Sequence, residues 1–224
     1  DPGRRRAVAL DTAGVVVVSV GADDGVALAW GRTISELAAA LHAGLGCRFV
    51  QLSGALPRPD VHESAVELVR RAAEATGSTA STFYAPLAVP DAVTAEGLRS
   101  QSGISEALAE LDRLTKAVVS VGAWQPGEST ALDSLGDADR AAMTRAGVVA
   151  EVTGVLLGAD GRDVDALADR VVGVTGRQLR AVPDVVAMAC GDVRAAATAA
   201  VLRSGIASTL VTHASLARAV LALA

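Results

Sequence analysis

The sequence predicts an α/β fold, a mostly parallel sheet flanked by helices, and three observations lead there. Hydrophobic residues make up 51% of the chain and aromatics only 2%, so Val, Leu, Ile and Ala must fill the core. That composition suits strands buried on both faces under alanine-rich helices. Apolar runs break at glycine and restart with helical periodicity, most clearly from Val26 through Trp30-Gly31-Arg32-Thr33 to Leu37. The C-terminal part reads strand, turn, helix, strand, helix, which is the order of a right-handed parallel crossover. At 224 residues the chain can bury such a core as one large domain, with or without a small appended one.

Taken in order, residues 15–20 read as a buried strand, separated by Gly21-Ala22-Asp23-Asp24-Gly25 from the strand that contains Val26. The two form a hairpin or lie apart. A helix over 34–43 sets Ile34, Leu37, Ala38 and Leu41 on one face and ends at Gly44 and Gly46. A strand at 49–52 turns away at Ser53-Gly54. Over 62–76, Val66, Val69 and Ala73 recur inward and Glu67, Arg70, Arg71 and Glu74 outward, until Gly77 stops the helix. Residues 79–89 carry a strand around Phe83-Tyr84, and Pro86 and Pro90 interrupt it as at a sheet end or a link to a small inserted subdomain. Short helices at 94–100 and 104–114 lead to a strand at 117–121 that meets Gly122.

Residues 124–136 are loop-like and long enough for a lid or ligand loop. A helix at 137–145 opens on Asp137 as its cap, and 148–157 alternate loosely up to Ala159-Asp160-Gly161, a hairpin-type turn. Strand 170–174 and helix 177–180 precede Pro183. Strand 185–189, the turn Cys190-Gly191-Asp192, helix 193–203, strand 208–211 and helix 214–223 close the chain.

Charge and special residues narrow the function. The net charge is −5 with scattered arginines, which argues against nucleic-acid binding by this chain itself. Lys116 is the only lysine, so imine chemistry has one candidate, and it opens a strand at the end away from any carboxyl-edge site. Cys47 and Cys190 form no C-x-x-C pair and read as small buried apolar residues. His42, His62 and His213 share no metal-ligand spacing, so neither a metal nor a cofactor is expected. No apolar run reaches membrane-spanning length and no signal segment opens the chain, which reads as soluble and cytoplasmic. It begins at Asp1-Pro2-Gly3-Arg4 without methionine, so residues upstream are expected to be missing.

The Trp30-Gly31-Arg32-Thr33 junction carries two readings. The helix start presents N–H groups without intrahelical partners, Gly31 admits a ligand close to the backbone, and Arg32, Thr33 and Ser35 can bind a phosphate. Thr33 and Glu36 also have the spacing of a capping box, which stabilises a helix and binds nothing. Gln51, Gly54, His62, Glu63 and Gly122, at other strand ends and a helix start, can complete the wall of such a site.

A set of phrases in order resembles the effector-binding domains of SorC-type, DeoR-like sugar-binding transcriptional regulators. They are Trp30-Gly31-Arg32-Thr33-Ile34, Val50-Gln51-Leu52-Ser53-Gly54, Tyr84-Ala85-Pro86-Leu87, Gly158-Ala159-Asp160-Gly161-Arg162, Arg170-Val171-Val172-Gly173-Val174, Leu179-Arg180-Ala181-Val182-Pro183 and Leu210-Val211-Thr212. The resemblance covers nearly the whole chain. It implies a Rossmann-like fold related to phosphosugar isomerases, residues 1–224 as one effector-binding and oligomerisation domain, and a phosphorylated sugar at the carboxyl edge of the sheet. It implies a homo-oligomer, dimer or tetramer, that reaches DNA only through an N-terminal helix-turn-helix absent from this chain, and no membrane partner.

By the same resemblance Gly31, Arg32 and Thr33 are the phosphate cradle, Glu151 accepts sugar hydroxyls, and Arg194, beside Gly191, stands where the family commonly has a lysine. The chain departs from the family pattern at His213-Ala214 and at Ala150, which bears on ligand identity. A second reading is a sugar-phosphate isomerase or deaminase, for which Glu151, Asp192 and His213 are the candidate groups.

Overall fold

The computed structural model describes residues 2–42, 44–56 and 64–223. Helix α1 (Pro2–Ser19) comes first, so the strand expected at 15–20 is the end of a helix. Its four consecutive valines favour a strand locally. Val8, Ala9, Thr12, Ala13 and Val16 nevertheless recur at helical spacing and pack toward α2 (Arg32–Ala40), and that burial outweighs the β-branched preference.

Between these helices runs β1 (Gly25–Leu28), buried at every residue. Strand β2 (Arg48–Gln51), α3 (Ala65–Thr76) and β3 (Thr79–Ser81) follow. The described part of α3 starts on a true capping box, in which Ser64 Oγ accepts Glu67 N–H at 3.3 Å and the Glu67 carboxylate accepts Ser64 N–H at 2.7 Å. The strand expected over 79–89 stops at Ser81. Phe83 N–H donates to the side-chain Oε1 of Gln51 at 3.1 Å, so this segment peels off the ladder.

Phe83, Ala85 and Val89 then join Ala95 of α4 (Ala92–Arg99), Ile104 and Ala107 of α5 (Ile104–Ala109) and Val172 in a small separate core. This is the inserted piece the prolines announce. A 3-10 turn (Glu110–Arg113) leads to β4 (Lys116–Ser120).

After β4 the chain builds a second, antiparallel sheet from β5 (Gly122–Ala123), β6 (Val148–Val152) and β7 (Val155–Gly158). The expected loop at 124–136 is partly helical, with α6 (Thr130–Ser134) capped by Ser129. The cap of α7 (Asp137–Arg145) is Gly136, so Asp137 is the first helical residue and acts through its charge at the positive helix end. The β6–β7 turn is Thr153-Gly154, both at positive φ, while Gly161 closes a further turn by donating its N–H to Gly158 O. Residues 171 and 173 make isolated bridges to Ala88 and Ser53, two different loops, so no continuous strand forms at 170–174.

The chain ends with α8 (Gly176–Ala181), β8 (Asp184–Ala189), a 3-10 turn (Asp192–Arg194), α9 (Ala195–Arg203), β9 (Thr209–Thr212) and α10 (Ala214–Leu221). The main sheet has the order β3-β2-β1-β4-β8-β9, with every pair parallel. Counted among these strands alone the order is 3-2-1-4-5-6, the Rossmann order, whose crevice opens where the strand order reverses. Here that point lies between β1 and β4, paired at Leu28 and Val118. Among the described residues no helix is long and apolar enough to cross a membrane.

Candidate functional site

A cleft of about 550 Å³, open mouth included, lies at this switch point. Its floor is the turn after β1 and the end of β4. Gly31 has φ 128°, a conformation an L side chain rarely adopts, and a Cβ there would stand 3.3 Å from Ser120 Oγ. The first α2 hydrogen bond is Ser35 N–H to Gly31 O at 2.9 Å, so the N–H groups of Arg32, Thr33 and Ile34 precede the helical ladder. Thr33 does not cap the helix. The cap position is Gly31, without a side-chain bond, and the capping-box reading of Thr33 and Glu36 is thereby corrected. Trp30 anchors the turn from behind through its indole N–H to Ser53 Oγ at 2.8 Å.

The opposite wall comes from the antiparallel sheet. Glu151 pairs with Gly122 across β5 and β6 and is only 3% exposed. Its Oε1 accepts Gly154 N–H at 2.7 Å and its Oε2 faces Ser129 Oγ at 3.5 Å. Burial pushes this carboxyl up to about 7, against the two hydrogen bonds that favour the ionised form. A Cβ at Gly122 would lie 2.8 Å from Glu151 Oε2, so glycine there makes room for the carboxylate.

Arg194 closes the third side. Its Nε donates to Val121 O (3.1 Å), Nη1 to Cys190 O (2.6 Å), and Nη2 to Glu128 O (3.2 Å), with Glu128 Oε2 2.6 Å from Nη2. Burial lowers the pKa of this guanidinium, and nearby Arg32 and Arg5 push the same way while Glu128 opposes them. Arg32 itself reaches Gly127 O at 3.4 Å. Three arginines thus face one cleft, an arrangement that attracts an anion.

Of the residues singled out from sequence, Gly31, Arg32, Thr33, Gly122, Glu151 and Arg194 line this cleft together, and Gly191 (φ 102°) lies against Arg194. Gln51 and Gly54 do not line it. The Gln51 amide is buried, donates to Ser53 O at 2.8 Å and accepts from Phe83, while a Cβ at Gly54 would collide with the Pro86 carbonyl. Both are packing residues. His62 and Glu63 fall outside the described residues.

His213 stands at the N-cap of α10, and its Nε2 accepts Gly191 N–H at 2.9 Å, so it steadies the turn that carries Arg194. Lys116 pairs with Asp184 at 3.3 Å at the far end of the strands. Arg5, Ser120, Glu128, Thr130 and Met188 also line the cleft and were missed, as was Cys190, which is half-buried there rather than in the core. Arg5 is hidden because the sequence assigns no element to the residues before the strand expected at 15–20, and Glu128 because nothing in a loop sequence marks an inward charge.

The Sugar-bind family of sugar-binding domains matches residues 1–222. The transcriptional regulator LsrR of Klebsiella pneumoniae is 36% identical over 149 residues, 64% of this chain and 46% of that protein. The match thus spans less than half of this curated relative. A transcriptional regulator from Streptococcus pneumoniae superposes with TM-score 0.91 at 20% identity, covering 98% of this chain and 85% of the other. The full-length sorbitol operon regulator SorC from Klebsiella pneumoniae gives 0.90 at 16%, covering 98% and 73%. At these identities the superpositions speak for the fold alone.

Proposed function

The chain belongs to the Sugar-bind family of sugar-binding domains, and we propose that it is the effector domain of a SorC- or DeoR-type regulator, that its cleft binds a phosphorylated sugar and that binding modulates how the full-length regulator holds DNA. The observation that carries this is the convergence of the α2 N-terminus, Arg5, Arg32 and Arg194 with the buried acceptor Glu151. The phosphate sits at Gly31, Arg32 and Thr33, where backbone N–H groups and the helix dipole favour an anion. Glu151 accepts sugar hydroxyls, Gly122 gives it space, and Gly191 shapes the turn that presents Arg194. DNA is read by a helix-turn-helix outside this chain, in a cytoplasmic homo-oligomer. The ligand must bind the states of that oligomer unequally, otherwise it shifts nothing.

Thermal shift with matched phosphorylated and unphosphorylated hexoses and pentoses tests the reading. A phosphorylated member is expected to raise Tm while its unphosphorylated partner does not, and Thr33→Ala to reduce the response. Stabilisation by neither class sinks it. An isomerase is the second reading, favoured by the Glu151 carboxyl near 7, a range suited to a general base. NMR of the stabilising sugar phosphate incubated with the protein decides: a new isomer supports turnover, an unchanged spectrum supports sensing.

A further inference from the structure

Three consecutive residues of one loop meet three of the charged groups of the cleft, Arg32, Arg194 and Glu151. Gly127 O accepts from Arg32 at 3.4 Å, Glu128 pairs with Arg194 at 2.6 Å, and Ser129 Oγ faces Glu151 at 3.5 Å. The loop is itself a tight turn, with Glu128 N–H on Gln125 O at 3.0 Å and Gly127 N–H on the Asp133 carboxylate at 3.0 Å. Arg194 has five N–H donors, and Val121 O, Cys190 O, Glu128 O and Glu128 Oε2 engage four of them. An anion arriving at Arg194 therefore meets a guanidinium already occupied.

Among the Arg194 partners, the backbone carbonyls hold the side chain in place, whereas the Glu128 carboxylate supplies the one full negative charge. We propose that Glu128 is a specificity-determining residue, an internal carboxylate on Arg194 that a ligand's anionic group must displace. This rests on the reading of the cleft as an anion site. A neutral sugar cannot displace it, since removing a carboxylate from a partly buried guanidinium leaves an uncompensated charge. A phosphate dianion can, because it brings at least the charge it removes and more acceptor oxygens. Glu128 thereby sets a threshold that selects for charge, and its displacement frees the 125–129 turn from the Arg194 side of the cleft.

Titration calorimetry with inorganic phosphate on wild type, Glu128→Gln and Glu128→Ala tests this, with circular dichroism to verify folding. Both variants are expected to bind phosphate at least five-fold tighter than wild type and to gain a response to glucose that wild type lacks; variants that still ignore glucose would remove Glu128 as the source of selectivity. Equal or weaker phosphate binding overturns the proposal and leaves Glu128 as a residue that merely orients Arg194. Hydrogen exchange on wild type gives an answer that needs no variant: phosphate should speed exchange at 125–129, and unchanged or slower exchange there contradicts displacement. Tighter phosphate binding by the variants without any preference for glucose 6-phosphate over inorganic phosphate supports the role of Glu128 while counting against the sugar-phosphate reading.

Discussion

The two edges of the main sheet hold charge differently, in separate pairs at one and in a convergent cluster at the other. At the amino edge charges meet local partners, Lys116 with Asp184 at 3.3 Å, Arg48 with Glu110 at 3.0 Å, and Asp24 accepting Thr115 Oγ1 at 2.6 Å. At the carboxyl edge Arg5, Arg32 and Arg194 converge on one cleft and a carboxyl is buried beside them. The first pattern closes a fold, since exposed pairs of this kind contribute little beyond satisfying themselves. The second costs stability and is held in place by packing, which marks a place where a ligand can repay the cost.

Substitutions that act on one edge only can break or sharpen this contrast. Arg194→Ala is expected to have the largest effect. It strands Glu128 and three carbonyl contacts, should cost about 3 kcal/mol in urea unfolding, and should abolish any phosphate-dependent rise in Tm. A loss below about 0.5 kcal/mol would place the carboxyl edge in the same class as the amino edge.

Glu151→Gln comes next and is read as a pH profile. The carboxyl titrates near 7 when folded and near 4.5 as a free side chain. The folded state therefore holds the proton longer, so stability falls as pH rises from about 4.5 to 7 and the cost stays constant above that. At about 1.4 kcal/mol per pKa unit the cost is on the order of 3 kcal/mol. The glutamine variant should flatten this fall, becoming more stable relative to wild type at pH 8 than at pH 4. A parallel pair of profiles would remove Glu151 as its source.

Gly122→Ala should cost roughly 1–3 kcal/mol by driving a methyl toward the Glu151 carboxylate. The smallest effects separate binding from capping. Thr175→Ala breaks a real capping box, in which Gln178 N–H donates to Thr175 Oγ1 at 3.1 Å, and should cost about 1 kcal/mol. Thr33→Ala should leave stability within about 0.5 kcal/mol while reducing ligand response. A Thr33→Ala loss as large as that of Thr175→Ala would restore the capping role to Thr33.

What the sequence discloses follows the same division. The parallel strands at 49–52, 117–121 and 185–189 were legible because burial on both faces leaves runs that are apolar but for Gln51 and Ser120, and α3 and α7 through their own periodicity and end residues, whereas α6 lies within an expected loop. The Trp30-Gly31-Arg32-Thr33 turn was legible because its glycine is required by a positive φ. Helix α1 was not, since four adjacent valines speak for a strand and the helical face is buried by tertiary packing on α2, β8 and β9. Gln51 and Gly54 sit at a strand end that looks like the site in one dimension, but the 83–89 segment packs over it. Glu128 and Arg5 line the cleft through tertiary contacts that no local pattern encodes.

The most direct measurement is calorimetric titration of the most stabilising sugar phosphate into wild type, Arg32→Ala and Lys116→Ala. A phosphosugar site at the carboxyl edge predicts at least a ten-fold weaker Kd for Arg32→Ala and an unchanged Kd for Lys116→Ala. Equal affinity in wild type and Arg32→Ala, or loss on changing Lys116, would contradict it.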